Sequence, residues 1–162
     1  MTTTASAIRK GADWLLERKF DGERCVARRE GNAVRLESRT GKALTETYPE
    51  IRAALGAQRF NRFMVDGEVV VFDGEQTSFS RLQQRLGISK PSRALVGEFS
   101  VVYCVFDLLE AGGEDLTTRP LVERRTRLGG RSGRRRACRS AKPGATMRSA
   151  ATPRHAAPAG RD

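Results

Sequence analysis

The hexapeptide Lys19-Phe20-Asp21-Gly22-Glu23-Arg24 has the form K-x-D-G-x-R and follows directly on Glu17-Arg18. An uncharged lysine amine is a nucleophile, and the positive charge of Arg18 and Arg24, with partial desolvation, favours the uncharged form. Asp21-Gly22 makes the turn that presents it. Three later segments carry polar groups that could serve the same chemistry: Ser38-Arg39-Thr40-Gly41, Asp66-Gly67-Glu68, and Phe106 within Val105–Leu109. Taken singly, Arg39 reads as a solvated arginine and Phe106 as a core aromatic. Glu68 is different, because a carboxylate in the apolar run Phe63–Phe72 is costly without a cation or metal beside it. His155, the single histidine, lies near the end of the sequence. Ser-His and Cys-His mechanisms within the body are thereby excluded, which leaves lysine, arginine, carboxylates and a metal.

Hydrophobic patterning says which elements must hold these residues. Trp14-Leu15-Leu16, the Asp21-Gly22 break and Cys25-Val26-Ala27 read as strand, turn, strand. Alternation resumes at Val34 and Leu36, a hairpin partner for residues 24–29. Pro49 followed by Ile51, Ala54 and Leu55 predicts a short helix closed near Gly56. Ser78 is placed to cap a helix carrying Phe79, Leu82 and Leu86, ended by Gly87. The run Ser100–Leu109, apolar on both faces, predicts a central strand. Strands outnumber helices and the connections are short, so the fold class is antiparallel α+β.

The chain has 162 residues, enough for one domain with a core, 38% hydrophobic and 30% charged. No apolar run approaches the ~20 residues of a membrane span, and no secretory leader is evident, so the cytoplasm is the expected compartment. The cysteines at 25, 104 and 138 form no C-x-x-C pair and suggest no zinc site. Of the 30 basic residues, ten follow Arg125 against one acid, Asp162, so the net charge of +11 sits mainly in that stretch. Residues 126–162, rich in Arg, Ala, Gly, Ser and Pro, cannot bury enough surface to offset their ordering entropy and are expected to be disordered. The organisation expected is a body over 1–125 and a basic tail over 126–162.

The four motifs, in this order and with these separations, resemble those of the covalent nucleotidyltransferases. Glu46–Ile51, Phe79–Arg85 and the stretch from Asp107-Leu108-Leu109 through Arg119–Arg125 are similar to segments of bacterial ATP-dependent DNA ligases in particular, over about residues 8–125. The resemblance implies the first part of an adenylation domain, with ATP and Mg2+ as cofactors and nicked or broken duplex DNA as substrate in repair or recombination. By resemblance, Lys19 accepts AMP and Glu17 reads the adenine. Arg24 and Arg39 hold ribose and phosphate, Glu68 serves ribose and metal, and Phe106 stacks on the base.

The family's later E-G-x-x-x-K and K-x-K motifs and its OB-fold domain are not found in this sequence. Phosphoryl transfer rests on such positioning and charge, so the resemblance implies an incomplete domain, weak or inactive alone, whose missing half or repair partners are supplied elsewhere. The alternative is a non-catalytic remnant that binds nucleotide or, through the basic tail, nucleic acid. The tail itself is either a substitute ending from GC-rich, out-of-frame codons or a phosphate-binding arm.

Overall fold

The computed structural model describes residues 19–129. The expected strand at Trp14–Leu16, the residue Glu17 and nearly all of the basic tail lie outside the described residues.

Strand β1 (Glu23–Glu30) turns at Gly31-Asn32 into β2 (Ala33–Ser38), pairing antiparallel from Cys25–Ser38 to Glu30–Ala33. Gly31 has φ +59°, a conformation that costs glycine little. Helix α1 (Pro49–Gly56) follows, with proline in its first turn and Ile51, Ala54 and Leu55 buried. It leads into β3 (Arg62–Asp73), which pairs with the short β4 (Gln76–Thr77). Ser78 caps α2 (Phe79–Gln83) by accepting the Arg81 N–H, and Ser92 caps α3 (Arg93–Glu98) by accepting that of Leu95. The chain then forms β5 (Val101–Ala111), β6 (Glu114–Asp115) and α4 (Leu121–Arg127). The strands make one antiparallel sheet in the order β2-β1-β3-β5-β6.

Two details differ from the sequence reading. Helix α2 stops at Gln83, and Leu86 lies in the turn that ends at Gly87, φ +73°. The central strand is β3, flanked by β1 and β5 along most of its length. Among the described residues β5 pairs beyond β3 only at Glu110 and Ala111, with β6. Its apolar character comes from packing on both faces of the sheet, a pattern that hydropathy cannot distinguish from a central position.

Those two faces are unequal. On one, Cys25, Ala27, Leu36, Ile51, Leu55, Val65, Val69 and Tyr103 form the main core beneath α1, each 0–1% exposed. Burying a large apolar side chain contributes about 1.5–3 kcal/mol, so this layer carries most of the stability. On the other, Val70, Val102 and Cys104 form a small cluster with Phe20 and Phe72. Strand alternation puts Asp66 and Glu68 on this second face, beside Val70 and away from Val65 and Val69.

Gly67 lets the sheet close between its two faces. A Cβ there would stand 2.6 Å from the Cys104 carbonyl oxygen and 2.6 Å from the Tyr103 ring. The ring lies across the glycine, and its hydroxyl reaches the carbonyls of Cys25 at 2.7 Å and Val65 at 3.3 Å. Arg29 ties the hairpin to α1 by donating to the carbonyls of Gly31, Leu55 and Gln58, the last two at and just beyond the C-terminal end of the helix.

Candidate nucleotide site

Gly22 sets the position of the lysine-bearing turn. It packs against β3 so closely that a Cβ would lie 2.2 Å from the Val69 carbonyl oxygen, 2.8 Å from a Val70 methyl and 2.9 Å from Glu68 Cγ. Only glycine permits that approach. The Lys19 side chain, three residues earlier, is exposed to solvent.

From this turn β1 enters the sheet, with Arg24 opposite Glu68 and Val26 opposite Asp66. Arg24 grips Asp66 with both arms of its fork: Nε donates to Oδ1 and Nη2 to Oδ2, each at 2.6 Å. This bidentate bond, helped by the charge of Glu68, raises the Arg24 pKa and fixes it as a cation. The guanidinium carbon also sits 4.4 Å from the centroid of the Phe106 ring, a cation–π contact. The register of β3 against β5 shifts between Asp66 and Gly67, where Phe106 enters the sheet.

Glu68 is half-buried. Burial pushes its carboxyl above the ordinary carboxylate value, while the Arg24 charge and a hydrogen bond from the Gly22 N–H oppose that rise. The glutamate that looked misplaced in an apolar run therefore has a cation partner on the less crowded face of the sheet.

Beyond β2, Ser38-Arg39-Thr40-Gly41 forms a tight loop. The Ser38 hydroxyl accepts the N–H of Thr40 at 3.3 Å and of Lys42 at 3.1 Å, and the Ser38 carbonyl accepts that of Gly41 at 2.9 Å. Gly41 has φ +80°. The loop holds Arg39 over a cleft of about 440 Å³ whose wall also includes Gly22, Glu23, Arg24 and Glu68, with Phe79 and Leu86 as its apolar side. A neighbouring hollow of about 410 Å³ shares Arg24, Ser38 and Arg39 and adds Asp66. A polar rim with an apolar wall suits a ligand that has both an anionic end and a flat one.

Of the residues singled out in the sequence, Arg24, Arg39 and Glu68 thus face one cleft. Phe106 is reached through Arg24, since its ring lies against that guanidinium. Lys19 is exposed and is not part of the cleft wall. Glu17 lies outside the described residues. Sequence reasoning missed Asp66 as a partner, although its spacing of two from Glu68 in a strand already put both on one face. It also missed Tyr48, whose hydroxyl donates to Glu23 Oε2 at 2.5 Å and anchors the start of β1 to the chain just before α1.

Among the described residues, no group of three or more His, Cys, Asp or Glu side chains could hold a metal ion. No helix among them is long and apolar enough to cross a membrane.

The chain is similar to known proteins. The ATP dependent DNA ligase domain family matches residues 1–132. DNA ligase C of Mycobacterium tuberculosis is 36% identical over 117 residues, 72% of this chain and 33% of that protein. A probable DNA ligase of Koribacter versatilis is 39% identical over 117 residues, 72% of this chain and 20% of that protein. Among solved structures, the ligase domain of M. tuberculosis LigD superposes with a TM-score of 0.56 at 33% identity, covering 68% of this chain and 34% of that one. Mycobacterial DNA ligase D complexed with ATP and MES gives 0.53 at 32% identity, with the same coverage. The chain thus spans about a third or less of these relatives.

Proposed function

The chain belongs to the ATP dependent DNA ligase domain family, and from that premise we propose that it is the nucleotide-binding part of a DNA ligase in which Lys19 accepts AMP from ATP. The observation that carries this reading is the cleft itself: two arginines and a half-buried carboxylate converge beside the turn that bears the lysine. In this reading the neutral Lys19 amine attacks the α-phosphorus, the N–P bond forms, and the bond to the departing pyrophosphate breaks. Arg24 and Arg39 offer their planar forks to ribose and phosphate oxygens. Glu68, with one contact already to Gly22, takes a ribose hydroxyl. Phe106 provides the ring on which adenine stacks, and Glu17 reads the base edge.

Magnesium fits this donor set in one way. With Asp66 engaged by Arg24 and Glu23 by the Tyr48 hydroxyl, Glu68 is the carboxylate proposed to serve it, which suits an ion held mostly by phosphates and water. It would neutralise charge on the triphosphate. Nicked or broken duplex DNA is the partner that would receive the AMP, in the cytoplasm, and the parts of the relatives that this chain does not span would share that work.

The test is direct. Incubate the protein with magnesium and ATP labelled at the α-phosphate, denature it, and look for retained label. Label on the wild-type chain that is absent from Lys19→Ala supports lysyl-AMP formation. Label persisting in Lys19→Ala refutes Lys19 as the acceptor and points to another residue, whereas none at any protein concentration refutes adenylation for this chain and leaves nucleotide or nucleic-acid binding without catalysis.

A further inference from the structure

Resting on the nucleotide reading above, we propose that Asp66 is an internal competitor for the nucleotide, holding Arg24 across Phe106 so that the aromatic face is covered until a ligand displaces the guanidinium. Three observations carry this. Arg24 stands directly opposite Glu68 in the β1–β3 register, yet both of its hydrogen bonds go to Asp66, two residues along the same face. Glu68 instead accepts the Gly22 N–H. The register shift at Asp66/Gly67 sets the Phe106 ring under the displaced guanidinium, 4.4 Å from centroid to carbon.

A stacked aromatic ring needs its centroid ~4.5–7 Å from that of Phe106, which is the space Arg24 fills. A purine and the guanidinium therefore exclude one another there. A carboxylate and a phosphate are alternative partners for the same bidentate fork. The Asp66 side chain is 15% exposed and that of Arg24 46%. The arginine can swing toward solvent without stranding a buried cation, and Asp66 stays behind as the anchor of the covered state.

Population arithmetic makes the proposal quantitative. If the ring is free only in the open state, every ligand that needs the ring is weakened by the same factor, whether or not it carries phosphate. Neutralising Asp66 removes that factor, so ATP and adenosine should both tighten. For a bidentate, half-exposed pair the gain is roughly three- to tenfold. Asp66 is then a positioning residue that acts through Arg24.

The experiment measures ATP and adenosine binding to the full chain by equilibrium dialysis without magnesium, in wild type, Asp66→Asn and Asp66→Glu, each checked for its urea midpoint. Equal tightening of both ligands in Asp66→Asn, reversed in Asp66→Glu, is the result expected. Weaker ATP with unchanged adenosine would mean that Asp66 only aims Arg24 at phosphates, and the gate is overturned. No change for either ligand overturns it as well. If neither ligand binds wild type or variants, the nucleotide reading itself fails and the gate fails with it. Should Asp66→Asn not fold, the Arg24 Nε–H signal of the wild-type chain serves by nuclear magnetic resonance: saturation with adenosine, which brings no phosphate, must shift it, and an unmoved signal overturns the gate.

Discussion

Gly22 meets the Val69 carbonyl so closely that a β-carbon on the glycine would stand 2.2 Å from the oxygen. The turn carrying Lys19 is therefore pinned to the central strand by the lack of a side chain. Gly22→Ala must push the turn off β3, an overpacking that costs about 1–3 kcal/mol. Because Glu68 Cγ and Val70 border the same spot, the shift is transmitted to the cleft. We expect a lower urea midpoint together with loss of covalent AMP labelling. Labelling at the wild-type rate in a Gly22→Ala chain would show that the turn is not seated in this way.

Glu68→Gln should separate function from stability. Burial raises the Glu68 carboxyl above its ordinary value, so the neutral amide is the easier group to bury, and its oxygen can still accept the Gly22 N–H. Thermal denaturation is expected to occur at the same temperature or slightly higher. AMP labelling should drop by about 10²-fold or more, the usual effect of losing a positioned charge at a phosphoryl-transfer site. A clear fall in melting temperature would mean that the charge of Glu68 stabilises the fold.

Arg85 tests the packing behind the site. Its side chain is fully buried, donating to Glu50 Oε1 at 2.8 Å and Oε2 at 3.2 Å and to the carbonyls of Thr47 and Phe99 at 3.0 Å each. It joins the turn after α2, which lines the cleft through Leu86, to α1 and to the end of α3. Removing one member of such a pair leaves the other uncompensated, so Arg85→Ala should cost about 3–5 kcal/mol in denaturant unfolding. A loss below about 1 kcal/mol, the value typical of surface ion pairs, would contradict the buried assignment.

Alkaline pH should unfold the protein early. Burial is the leading cause that pushes the Cys25 thiol from its ordinary 9.0 to about 12 and holds the Tyr48 and Tyr103 hydroxyls above their ordinary 10.0. All three shifts favour the protonated form in the folded state. Their stabilisation is complete below the unfolded values and is lost as pH rises through the folded ones. The urea midpoint should be level from pH 7 to about 9 and fall progressively above that. A midpoint unchanged up to pH 11 would mean that these groups titrate alike in both states.

Much of this protein is determined locally. Alternation in residues 24–36 sufficed for the hairpin, Pro49 with Ile51, Ala54 and Leu55 for α1, and Ser78 for the start of α2, because each depends on neighbours a few residues away. The residue types at 19–24, 38–41, 66–68 and 106 are likewise local, and by resemblance they carry the expectation of a nucleotide site. Tertiary structure decided the rest. Hydropathy made Ser100–Leu109 central, whereas pairing made β3 the middle strand and left β5 beside it, since strand order depends on partners far away in sequence. The identity of Arg24's partner followed the same rule. Glu68 is directly across from it, yet the fork closes on Asp66, and Phe106 slips beneath because the β3–β5 register shifts at that point. A one-residue offset between strands separated by about 40 residues of chain leaves no trace in the periodicity of either, and here it sets Phe106 against Arg24.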